Sequence, residues 1–143
     1  MPWSYDPAEI ASGIDAISAD GETSISDGFA LARSLFAEAG DGYRPNAAKI
    51  VLFVSDGEQT VDQADGRTLA QTAIDAALLV KEIPATVFAW GIGDKVSLAT
   101  LKAIATSPSN ANMVTVILSQ NVADLEDYLA QLEAAVCNES PPW

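Results

Sequence analysis

The sequence predicts an α/β domain built on a parallel sheet with helices on both faces. Amphipathic stretches with apolar residues three or four apart alternate along the chain with short, wholly apolar runs. Those runs, at 50–54 and 86–90, lack the in-and-out alternation of a half-solvated strand, as expected of strands covered on both sides. With 143 residues, 49% apolar and 19% charged, the chain has enough apolar material for one core and too much for disorder.

The elements follow in order. Asp6-Pro7 provides a cap and a first-turn proline for a helix whose Ile10, Ile14 and Ile17 share one face. Gly21 closes the connection. A second helix from Ser26 to about Glu38 carries the stripe Phe29, Ala32, Leu35 and Phe36. Turn residues fill Gly40-Asp41-Gly42-Tyr43-Arg44-Pro45-Asn46 before the strand at 50–54. A long helix from about Arg67 to Glu82 aligns Leu69, Ala73, Ala76 and Val80, and Pro84 stops it by disfavouring helical backbone in the residue before it. The strand at 86–90 runs into Gly91-Ile92-Gly93. Leu98, Leu101 and Ile104 mark a short helix and residues 113–118 a third strand. Asn121, with Asp124 three residues on, starts a last helix with Leu125, Leu129, Leu132 and Val136 on its core face.

A formal charge of -13 repels a polyanion, so nucleic acid is excluded as a partner, while a cation is readily accommodated. The same charge also serves simply to keep a soluble surface dispersed. The chain has no histidine, which excludes histidine-based triads and metal sites, and Gly91-Ile92-Gly93 lacks the third glycine of a dinucleotide fingerprint. The first residues show neither a basic nor an apolar leader region, and no run of about 18 apolar residues exists to span a bilayer. Cys137 is the sole cysteine and makes no internal disulfide; the sequon Asn138-Glu139-Ser140 follows it, with Pro141 next.

Chemistry concentrates at two positions. Asp56 ends a buried strand, and in parallel sheets ligands collect beyond the carboxyl ends of the strands. Thr23 lies in the loop before the second helix, which places it near the same end. A hydroxyl, a carboxylate and waters meet the oxygen demand of a hard cation such as Mg2+. Each residue also has a plain structural use: Thr23 as a hydroxyl serving helix-end amides, Asp56-Gly57 as a strand-to-helix turn.

Taken together, Gly21-Glu22-Thr23 opening a helix that contains Ala30-Leu31, the strand ending in Ser55-Asp56-Gly57, and the strand ending in Gly91-Ile92-Gly93 resemble, in order, the later part of a von Willebrand factor type A domain. The resemblance implies a Rossmann-like α/β fold with about three core parallel strands and five helices over residues 6–137, and a tail at 138–143. It implies a non-enzymatic protein-binding or adhesion module with a metal-ion-dependent adhesion site for Mg2+, Ca2+ or Mn2+. Thr23 would bind the cation directly and Asp56 through water, and a carboxylate of a protein ligand would complete the shell.

The family's first ligand loop, Asp-x-Ser-x-Ser after an apolar strand, has no counterpart; Glu22-Thr23-Ser24-Ile25-Ser26 matches superficially but follows no strand. The expectation is therefore an amino-terminally incomplete domain that binds a cation weakly or not at all by itself. Its strand at 50–54, beside which the family's first strand lies, should form an edge that recruits another copy unless a segment such as the helix at 6–18 covers it. The position of Cys137 matches a cysteine of extracellular members, so a secreted setting is expected, with a cytoplasmic scaffold in a multiprotein or ATPase-linked complex as the alternative. A third reading comes from Asp56-Gly57-Glu58-Gln59-Thr60, which approaches the Asp-x-Asp-x-Thr loop of haloacid-dehalogenase-like phosphatases. Glu58 stands there in place of the second aspartate and is too long for its role.

Overall fold

The computed structural model describes residues 3–18, 20–38, 43–83, 85–108 and 114–139. Along them run α1 (Pro7–Asp15), α2 (Ile25–Ala37), β1 (Lys49–Ser55), α3 (Leu69–Lys81), β2 (Ala85–Ile92), α4 (Leu98–Ile104), β3 (Val116–Ser119), a 3-10 turn (Val122–Leu125) and α5 (Glu126–Glu139). The three strands form one parallel sheet in the order β1-β2-β3. Val51 is level with Val87 and Phe53 with Ala89, and Trp90 with Ile117 on the other side. The α/β architecture is as the sequence pattern predicts. Pro84, Gly40 to Gly42, Met113 and residues 140–143 lie outside the described residues, as do the side chains of Val136 and Asn138.

Helices cover both faces because each strand contributes side chains to two cores. On one face Phe29 of α2, Ala73, Ala77 and Val80 of α3, and Leu101 and Ile104 of α4 close over Val87 and Ala89, and Val51 and Phe53 pack against them. On the other, Phe88 meets Ile50 and Leu132, while Trp90, Ile117 and Leu125 pack with Tyr128 and Leu132. Burial at about 25 cal/mol per Å2 makes these two clusters the main stabilising term.

Four expectations are corrected. The apolar run of β1 is open on one face, with Leu52 and Val54 42% and 46% exposed. The cause is position: β1 is the sheet edge, and α5 packs mainly over Trp90 and Ile117. Helix α1 buries none of its residues, so Ile10, Ile14 and Ile17 face solvent and the helix leaves the edge of β1 uncovered. Its local signals suffice to form it: Pro7 opens the first turn, and the Asp6 carboxylate accepts from the Ala8 amide at 2.8 Å. Leu129 is 52% exposed and falls off the core stripe of α5. Finally, Asn121 makes no side-chain cap; Asp124 instead accepts from the Ser119 hydroxyl at 2.6 Å, and the chain enters α5 through a 3-10 turn.

Candidate functional site

The carboxyl end of β1 is assembled by side chain to backbone bonds between two loops. Ser24, not Thr23, caps α2: its hydroxyl accepts from the Asp27 amide at 3.4 Å. The Ser26 amide, another of the donors that a helix start leaves unpaired, is held by the Gln59 side-chain oxygen at 2.9 Å. Thr60 completes the stitch. Its hydroxyl accepts from the Thr23 amide at 2.8 Å and its amide donates to the Thr23 carbonyl at 2.9 Å. With the capping work done by Ser24 and Gln59, neither the Thr23 hydroxyl nor the Asp56 carboxylate has a hydrogen-bond partner among the described residues.

Asp56 is presented by its neighbours. Ser55, the last residue of β1, donates from its hydroxyl to the Gly57 carbonyl at 2.7 Å and accepts from the Gly57 amide at 3.2 Å, which turns the chain sharply and leaves Asp56 exposed. Thr23 and Ser55 line one groove of about 350 Å3 between α2 and the free edge of β1, its floor made by Ile25, Phe29, Val51 and Phe53. The structure therefore places the Thr23 loop and the Asp56 loop at the same strand end. The β2 exit joins them there: Gly93, at φ +79°, donates to the Ser119 carbonyl at 2.7 Å and so pins the loop to β3.

The donor set is all oxygen, which suits Mg2+, Ca2+ or Mn2+ and not a soft metal. It is also small. Among the described residues no three Asp, Glu, Cys or His side chains converge as a metal-holding group. Glu58 is committed elsewhere, its Oε1 accepting from the Ser97 amide at 2.9 Å at the start of α4. A carboxylate tied to a helix start is badly placed to shuttle protons, which weighs against the phosphatase reading.

Sequence reasoning passed over Gln59 and Thr60, the residues that join the loops. The signal was present as two polar residues directly after Asp56-Gly57-Glu58, but their partners lie 33 and 37 residues away and no local pattern reveals such pairs.

A parallel sheet carrying helices on both faces, with loops gathered at the carboxyl end of its strands, defines a doubly covered α/β binding domain. The family model of the von Willebrand factor type A domain matches residues 3–130, and this chain belongs to that family. Its members are in general protein-interaction modules and often bind a divalent cation. No helix among the described residues is long and apolar enough to cross a membrane.

Proposed function

We propose that this domain is a non-enzymatic protein-binding module whose contact surface is the carboxyl end of β1, and that Thr23 and Asp56 contribute to a metal-ion-dependent adhesion site there. The observation that carries this reading is the stitching of the two loops by Gln59 and Thr60. It leaves one hydroxyl and one carboxylate unengaged at the same strand end. When bound, the cation would act as a Lewis acid that attracts an anionic ligand group. Thr23 and Asp56 would hold it, water would fill the rest of the shell, and a carboxylate from the protein partner would displace water. An extracellular setting belongs to the same reading, supported by the exposed thiol of Cys137 on α5, which is accessible for pairing with another cysteine.

Calorimetric titration with Mn2+ in moderate salt tests the site. With two side-chain donors the dissociation constant should be no tighter than about 10⁻⁴–10⁻³ M, the range of weak oxygen sites. Thr23→Ala and Asp56→Ala should each remove the binding and leave the far-ultraviolet circular dichroism unchanged. Binding that survives both substitutions would show that the cation sits elsewhere.

A further inference from the structure

At the opposite, amino-terminal end of β1 a second cavity, of about 290 Å3, opens between the first described residues, the end of α2 and the loop leading into the strand. Its apolar wall is a cluster of rings, with Trp3 5.8 Å from Phe36 and 6.0 Å from Tyr43. Its charged lining groups are both cations, beside the hydroxyl of Ser4, which donates to the Glu9 carboxylate at 2.7 Å. Arg44 and Lys49 line it, the first stacked over the Tyr5 ring and the second over Tyr43. Neither makes an ion pair among the described residues, where Arg67 with Asp75 is the pair formed. The indole N–H of Trp3, a residue of this lining, is buried without an acceptor among the described residues.

This is an unusual concentration in a chain of net charge -13, because residues 43–55 carry two cations and no carboxylate. Lys49 donates to the Pro45 carbonyl at 3.5 Å. Two cations without an ion-pair partner among the described residues still focus a positive potential in a walled recess, and a buried donor without an acceptor favours a ligand that brings one. The surrounding negative charge works against a multiply charged anion. The rings call for an apolar body, and the volume admits little more than one large side chain with its backbone.

We propose that this cavity is a ligand site for a monocarboxylate carried on a single aromatic or large apolar group, with the carboxylate between Arg44 and Lys49 and within reach of the Trp3 indole N–H. A peptide carboxyl terminus ending in such a residue and a free aromatic acid share this chemistry. The site is separate from Thr23 and Asp56 and needs no metal.

The test uses the 15N-labelled chain, with the Trp3 indole signal identified by its loss in Trp3→Phe. Titration with N-acetylphenylalanine should move that signal saturably, while the neutral N-acetylphenylalanine amide should not. An acetylated tripeptide ending in phenylalanine that binds more tightly identifies a peptide terminus as the ligand, and equal affinity identifies the free acid. Arg44→Gln and Lys49→Gln, both at partly solvated positions, should each weaken binding about two- to fivefold. Raising the salt should weaken it in the unaltered chain as well, a measurement that needs no substitution. Equal binding of acid and amide, or no movement of the Trp3 signal, would overturn the proposal.

Discussion

Gln59 uses one amide group for two contacts: its oxygen accepts from the buried Ser26 amide, and its nitrogen donates to the Asp62 carbonyl at 3.3 Å. It is 4% exposed, so no water replaces these bonds when it is removed. Gln59→Ala should destabilise the fold by about 1–3 kcal/mol, the cost of leaving a buried donor unpaired, as read from the urea midpoint. Gly91 illustrates the opposite constraint. A Cβ there would lie 2.7 Å from Leu101 Cδ1, 3.0 Å from Leu118 Cδ1 and 3.1 Å from Val96 Cγ1. Gly91→Ala should therefore cost about 1–3 kcal/mol through overpacking, measurable in the same denaturation experiment. The Gly91-Ile92-Gly93 run thus combines two physical needs, close side-chain packing at its first residue and a left-handed backbone at its last.

At the scale of elements, α1 and α4 differ in what holds them. Helix α4 is tied to α3 by Lys81, whose ammonium donates to the carbonyls of Ala103 at 2.9 Å and Ala105 at 3.1 Å, groups the helix end leaves unpaired. Lys81→Met should destabilise by about 1–3 kcal/mol at neutral pH. Desolvation holds the Lys81 pKa below its usual 10.5. The folded pKa then lies below the unfolded one, so folding disfavours the charged form, and this penalty is relieved as pH rises through the folded value toward 10.5. The melting temperature of the unaltered chain should accordingly gain on that of Lys81→Met as the pH is raised into that window. Helix α1 should be indifferent to its apolar stripe. Ile14 is 61% exposed, and Ile14→Lys should change stability by less than about 0.5 kcal/mol.

The molecule as a whole has an open side. Along the free edge of β1, a strand of seven residues, alternate residues offer unpaired backbone groups, beside an apolar groove and the exposed Leu52 and Val54. Such an edge is a template for another strand. The chain should self-associate with rising concentration in light scattering, more strongly at high salt where the net charge of -13 is screened. Leu52→Lys reaches solvent and should reduce the association. A monodisperse monomer at every concentration and salt would contradict a template edge.

What this sequence determined alone is the kind of each element and their order. Those follow from local causes: the 3.6-residue spacing of Phe29, Ala32 and Phe36, the unbroken apolar run of β1, and Asp6-Pro7 at a helix start. The order of Gly-x-Thr, Ser-Asp-Gly and Gly-x-Gly also made the family legible, because each marks a strand end or helix start that the fold brings to one side. Tertiary structure alone decided which apolar faces are covered. The stripe of α1 and that of α2 read alike in sequence, yet Phe29 is 2% exposed and Ile14 61%, since burial depends on what another element places opposite. It likewise decided that Gln59 joins Ser24 at the start of α2 while Thr23 keeps its hydroxyl unengaged. The Ser24 cap is local, three residues from the Asp27 amide it serves, but Gln59 reaches the Ser26 amide only when the loop after β1 packs on α2, across 33 residues that no local spacing encodes.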